Sequence, residues 1–135
     1  MPTAGIPFAT VVSQKLGIPL SYYRQARKEH GVRKKIEGIL ERNDRVLIVD
    51  DLITTGESVI EAAEVIREQG GVVNELVVLL DREQGGQERL RSSRIETHVL
   101  FKISSAMTWL HTVGLIEDRI FDMVKDYIEE ESKRP

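Results

Sequence analysis

The sequence of 135 residues contains no cysteine, which excludes disulfides, thiol catalysis and cysteine-based zinc sites. It also lacks an apolar run approaching the ~20 residues that cross a bilayer, and it opens without a charged segment followed by an apolar stretch. We therefore expect no membrane partner, no signal peptide and a cytoplasmic location. The net charge of −3 provides no overall basic field, so nucleic acid is not an expected partner.

The composition is that of an ordinary globular protein, with 41% hydrophobic and 30% charged residues. A chain of this length buries roughly two thirds of the surface that its unfolded form exposes. No repeat, low-complexity tract or Pro/Gly/Ser-rich linker divides it. We therefore expect residues 1–135 to form a single domain.

Two strands and the helix between them are the clearest elements. Residues 46–49 form an apolar run that ends at two acids, which is typical of a strand buried on both faces. Residues 57–69 follow as a helix, and residues 76–80 form a second apolar run that ends at Asp81. One face of the helix carries Val59, Ala62, Ala63 and Ile66. This β-loop-α-β order predicts a parallel sheet and an α/β fold.

The flanking segments carry patterns of further helices and short strands. Helices are expected over residues 6–16, 105–113 and 117–131. Strands are expected over residues 18–24, 36–40 and 95–103, with a polar, basic loop at 25–35 and a turn at 41–45.

The segment from residue 46 to residue 58 carries the chemistry. A buried strand leads into Asp50 and Asp51, and a loop rich in hydroxyls and containing Gly56 then opens the helix. Backbone N–H groups at a helix start have no intrahelical partner, and glycine lets an anion approach the backbone closely. Paired acids suit ribose hydroxyls or hydrated Mg²⁺ rather than a phosphate. The combination indicates a sugar phosphate, although hydroxyls before a helix are often plain N-caps and paired acids often only a solvated loop.

Residues 46–58 closely resemble the phosphoribosyl pyrophosphate (PRPP) signature of type I phosphoribosyltransferases. Three other segments resemble the orotate phosphoribosyltransferases in particular. Residues 5–9 resemble the start of their first core helix, residues 24–31 their mobile catalytic loop, and residues 80–86 their orotate-side strand end. The resemblance implies an α/β fold with a type I phosphoribosyltransferase-like parallel sheet and flanking helices, with the N-terminal part of the family's sheet missing.

The same resemblance implies a role for each matching residue. Asp50 and Asp51 would hold the ribose hydroxyls of PRPP. The cradle for the 5-phosphate would be Thr54, Thr55, Gly56, Glu57 and Ser58. The pyrophosphate would meet Arg24, Lys28 and His30. The implied catalytic residues are Lys28, His30, Asp50 and Asp51.

On the base side, the resemblance implies that Arg82 and Thr54 bind orotate, and a guanidinium suits a carboxylate because it can bind both oxygens at once. The implied cofactor is Mg²⁺, carried by pyrophosphate rather than by a protein site. The implied assembly is a homodimer in which residues 24–35 reach the neighbouring active site. Without the resemblance, that basic segment would be interpreted as a solvated charged face.

The implied reaction transfers ribose 5-phosphate from PRPP to orotate and gives orotidine 5-phosphate and pyrophosphate. Two departures reduce positive charge near the expected pyrophosphate. Gln25 stands where the family usually carries lysine, and Ala4 stands where many bacterial relatives carry it. These favour an alternative, a non-catalytic PRPP- or nucleotide-binding homologue. A phosphoribosyltransferase for another base also remains open. A more distant alternative is a receiver domain, with Asp81 as phosphoacceptor and Lys102 beside it.

Overall fold

A computed structural model describes residues 4–24 and 36–132, with Ser132 described by its backbone alone. The five helices of this part are α1 (Ile6–Leu16), α2 (Glu57–Glu68), α3 (Gly86–Ser92), α4 (Ile103–Thr112) and α5 (Asp118–Ser132). Its five strands are β1 (Tyr22–Tyr23), β2 (Ile36–Glu37), β3 (Arg45–Ile53), β4 (Val72–Asp81) and β5 (Glu96–Lys102).

The main sheet has three parallel strands in the order β3-β4-β5. Because the strands are parallel, β3 and β4 end at the same edge, where Ile53 lies opposite Asp81. The register shifts once, between Val46 and Leu47. Within the described residues β3 pairs with β4 alone, so its other backbone edge is left without a strand. The α/β prediction is confirmed, and the second sheet is a two-stranded antiparallel pair of β1 and β2.

The core lies between β4 and the helices that pack on the sheet. Val73, Leu76 and Val78 on β4 are fully buried. The four predicted core residues of α2 are buried as well: Val59, Ala62, Ala63 and Ile66. This agreement follows from the helical spacing of those residues, which places them on one face.

The strands differ from their predicted bounds. β3 continues through Asp50 and Asp51 to Ile53, because Asp50, Leu52 and Ile53 keep pairing with β4 after the apolar run ends. β4 likewise begins at Val72, four residues before the apolar run. Only Tyr22–Tyr23 of the expected strand at 18–24 is paired, and only Ile36–Glu37 of the one at 36–40.

The helices agree more closely with their predicted bounds. α1 matches residues 6–16, and α4 and α5 lie within two residues of the predicted starts. The helix α3 was not predicted, because it has only seven residues and two glycines, Gly85 and Gly86, stand at its start. Among residues 4–24 and 36–132, no helix is both long and apolar enough to cross a membrane.

Candidate functional site

The two acids lie near the carboxyl end of β3, where the strand meets the start of α1. The Asp51 N–H donates to Asp50 Oδ1 at 3.0 Å, and Gly5 packs directly against the Asp50 carboxyl. The pKa of Asp50 is raised to about 6, chiefly by burial, with the Asp51 N–H opposing the shift and the Asp51 side chain adding to it. Asp50 is therefore a partly desolvated carboxyl that a polar ligand could reach.

The loop after β3 leads directly into α2. Gly56 is the N-cap residue, with φ of 79°, and no N-cap side chain bonds to the first turn of the helix. The alternative that Thr54, Thr55 or Ser58 serves as the N-cap is therefore wrong. A helix start without a side-chain cap presents backbone N–H groups that suit an anion. All three hydroxyl residues are partly exposed, so they can reach a ligand at this point.

The end of β4 lies beside this loop. The Arg82 N–H donates to the Ile53 carbonyl at 3.0 Å, which joins the two strand ends through their backbones. A Cβ at Gly86 would collide with the Thr54 carbonyl, so only glycine permits the loop after β4 to pack this closely. The structure thus brings Arg82, predicted to bind orotate, next to the predicted phosphate cradle.

The surroundings of Asp81 do not suit a receiver phosphoacceptor. Its side chain is only 3% exposed. Its two carboxylate oxygens accept hydrogen bonds from the Glu83 N–H at 2.8 Å and from Gln87 Nε2 at 2.6 Å. A carboxylate enclosed in this way is poorly placed to accept a phosphoryl group, although Lys102 lies opposite it on β5.

The basic segment is represented by Arg24 alone. Its guanidinium lies 4.0 Å from the Glu37 carboxylate, and both side chains are about half exposed. Lys28, His30 and Gln25 lie outside the described residues. The roles inferred for the loop at 25–35 therefore stay predictions.

A cavity of about 400 Å³ lies between α1, β3 and α2. Its lining is largely apolar, and Asp50 and Ser58 contribute polar groups to it. The cavity follows the edge of β3 that has no strand partner among the described residues. No pattern in the sequence indicates this cavity, because it depends on how α1 packs against the sheet.

Comparison with known sequences gives matches over most of the chain. Residues 1–108 match the phosphoribosyl transferase domain family. The orotate phosphoribosyltransferase of Pyrobaculum islandicum is 39% identical over 133 residues, which cover 98% of this chain and 62% of that protein. The orotate phosphoribosyltransferase of Sulfolobus acidocaldarius is 34% identical over 126 residues, covering 93% of this chain and 64% of that protein. The chain thus spans less than two thirds of these relatives.

Solved structures give the same picture. Leishmania donovani UMP synthase superimposes with a TM-score of 0.84 at 29% identity, over 96% of this chain and 28% of that one. Orotate phosphoribosyltransferase from Aeropyrum pernix superimposes with a TM-score of 0.74 at 34% identity, over 85% of this chain and 63% of that one.

Proposed function

The chain belongs to the phosphoribosyl transferase domain family, because residues 1–108 match it, and we propose that the protein acts on PRPP and orotate. This membership confirms the resemblance carried by residues 46–58. The proposed reaction transfers ribose 5-phosphate to orotate and yields orotidine 5-phosphate and pyrophosphate, a step of pyrimidine synthesis. The names of the matched relatives support orotate over other bases.

The observation that carries the proposal is the meeting of three groups at one edge of the sheet. Asp50 and Asp51 supply carboxylates, the start of α2 supplies backbone N–H groups, and Arg82 supplies a cation. The hydrogen bond from the Arg82 N–H to the Ile53 carbonyl fixes the spacing between the strand ends. Acids, amides and a guanidinium are the partners that a ribose, a phosphate and a carboxylate respectively require.

The chemistry follows from this arrangement. A ring nitrogen of orotate attacks the anomeric carbon of PRPP, and the carbon–nitrogen bond forms as the bond from that carbon to pyrophosphate oxygen breaks. The electron pair leaves with pyrophosphate, and the proton of the nitrogen passes to pyrophosphate or water. Positive charge develops on the ribose, and Asp50 and Asp51 stabilise it from the ribose side.

Mg²⁺ is proposed as an ion that PRPP brings with it. Asp50 and Asp51 are hard oxygen donors that suit it, but Mg²⁺ takes about six oxygens. Across residues 4–24 and 36–132 no group of three or more His, Cys, Asp or Glu side chains could hold a metal. Pyrophosphate oxygens would therefore supply most ligands, and the bound ion would neutralise charge on the leaving group. Lys28, His30 and Arg24 are proposed to share that task.

The assembly and location remain proposals in the same way. A homodimer would let residues 24–35 of one chain cover the site of the other and exclude water from PRPP. A cytoplasmic location would fit an enzyme of nucleotide synthesis.

A second candidate is a homologue that binds PRPP without turnover. The specific observation behind it is the loss of two positive charges, at Ala4 and Gln25, near the expected pyrophosphate. PRPP binding would survive this loss, because Asp50, Asp51 and the start of α2 are retained. Slow turnover with intact binding would therefore favour this candidate.

The test is consumption of orotate, followed by its absorbance, with PRPP and Mg²⁺. Uracil and adenine serve as competing bases, and the variant Asp50→Asn/Asp51→Asn serves as the control that lacks the acids. We expect PRPP-dependent loss of orotate that the double variant abolishes. Binding of Mg²⁺-PRPP by calorimetry without turnover would select the second candidate, and no binding would contradict both.

A further inference from the structure

The turn between β4 and α3, residues 82–85, is held from inside by a buried carboxylate. Asp81 is the buried charged side chain of the described part of the protein, with 3% exposure. Its Oδ1 accepts the Glu83 N–H at 2.8 Å, and its Oδ2 accepts Gln87 Nε2 at 2.6 Å. One carboxylate oxygen therefore holds the turn, and the other holds the start of α3.

Two further bonds restrain Arg82 and Glu83 within this turn. Glu83 has φ of 57°, and its Oε2 accepts the Ser104 N–H of α4 at 2.9 Å. The Arg82 N–H donates to the Ile53 carbonyl at 3.0 Å. None of these bonds uses the Arg82 guanidinium. Hydrogen bonds to β3, α3 and α4 thus hold the backbone around Arg82, whereas its guanidinium can bind a ligand.

We propose that Asp81 and Gln87 are positioning residues for the base-binding side of the site, a role that rests on the proposed function. They hold the Arg82 backbone so that its guanidinium stands at a set distance from the phosphate cradle. Gly86 packs closely on the Thr54 carbonyl, which places the turn beside that cradle. A guanidinium that binds both oxygens of a carboxylate at once depends strongly on its distance and orientation.

A merely structural role predicts a different outcome. Gln87 is half-buried at the start of α3. If its bond to Asp81 only stabilised the fold, its loss would lower the melting temperature and leave both Michaelis constants unchanged. A positioning role instead raises the KM for orotate more than the KM for PRPP.

The first experiment compares two glutamines of one segment. Gln87→Ala removes the donor to Asp81, whereas Gln84→Ala removes a bond from Gln84 Nε2 to the Tyr127 hydroxyl of α5, at 3.0 Å. We expect Gln87→Ala to raise the KM for orotate about 10-fold, with the KM for PRPP within about twofold. Gln84→Ala should leave both within about twofold. Equal rises in both constants for Gln87→Ala would overturn the proposal.

The second experiment reverses the hydrogen bond. In Asp81→Asn one acceptor becomes a donor, so either the Glu83 N–H or Gln87 Nε2 loses its partner. In Asp81→Asn/Gln87→Glu the asparagine amide donates to the new carboxylate, and the net charge equals that of the wild type. We expect the single variant to raise the KM for orotate and the double variant to recover most of the loss. A double variant no better than the single one would overturn the proposal.

Hydrogen exchange separates this proposal from the proposed function, because it needs no turnover. In Gln87→Ala the amides of residues 82–87 should exchange about 10-fold faster, with α2 and β4 unchanged. An inactive wild type with this exchange pattern would refute the orotate reaction but uphold the restraint on Arg82. Unchanged exchange would refute the restraint, whatever the activity.

Discussion

Asp50→Asn should make the protein more stable near neutral pH while lowering its affinity for PRPP. The pKa of Asp50 lies at about 6 instead of 3.8, chiefly because burial disfavours the charged form. A pKa shift of about two units corresponds to about 3 kcal/mol of unfolding free energy when solvent does not screen the charge. The carboxyl is only partly buried, so solvent screening reduces this to about 1 kcal/mol.

The sign of the pH dependence follows from proton linkage. Between pH 3.8 and about 6 the native state binds more protons at Asp50 than the unfolded state does. The contribution of Asp50 to the free energy of unfolding therefore falls as pH rises through this window, and the wild type carries the full penalty above it. Asparagine carries no such penalty. The advantage of Asp50→Asn should thus be about 1 kcal/mol at pH 7.5 and should vanish near pH 4.

The assay is urea unfolding followed by circular dichroism at pH 7.5, 6, 5 and 4. Asp122→Asn is the matched control, because Asp122 lies exposed on α5 and its replacement should change stability by less than about 0.5 kcal/mol. A destabilised Asp50→Asn, or an advantage that is the same at every pH, would refute the role of desolvation.

The same variant tests the ribose contact. A hydrogen bond to a charged group contributes about 1.5–3 kcal/mol, so its loss should weaken Mg²⁺-PRPP binding about 10- to 100-fold in calorimetry. Unchanged affinity would remove Asp50 from the ribose site and leave the stability effect as its sole consequence.

Three other variants test separate parts of the structure. Arg82→Ala should raise the KM for orotate about 10- to 100-fold with little change in the KM for PRPP, and an unchanged orotate KM would place the base elsewhere. Gly86→Ala should lower both stability and PRPP affinity, because its Cβ would collide with the Thr54 carbonyl; unchanged melting and binding curves would mean that the two loops can separate freely. Leu76→Ala should cost about 2–5 kcal/mol in urea unfolding, because Leu76 is fully buried on β4, and a loss below 1 kcal/mol would contradict its place in the core.

Much of the fold could be predicted from local patterns. The apolar runs located β3 and β4, and the spacing of Val59, Ala62, Ala63 and Ile66 located the buried face of the helix between them. The expected burial of residues 46–49 on both faces is wrong, because Leu47 is 38% exposed. Strand ends were less predictable. Asp50 and Asp51 remain in β3 because strand pairing depends on the neighbouring backbone and not on side-chain polarity.

The site was predictable in part for a similar reason. The acids, hydroxyls and Gly56 stand close together in sequence, so their chemistry could be read in one segment. The hydrogen bonds of Asp81 to Gln87 and of Glu83 to Ser104 could not be predicted, because no periodic pattern marks a hydrogen bond across a turn or between two elements. The need for glycine at position 86 could not be predicted either, because it arises from the Thr54 carbonyl, with which a Cβ would collide.

The sequence by itself determined the fold class, the family and the residue types of the phosphate-binding segment, because these depend on short-range patterns. The tertiary structure alone decided that Asp81 turns inward and that Asp50 is desolvated. Each of these depends on two or more elements meeting in space, and contact between distant segments leaves no local signal in the chain.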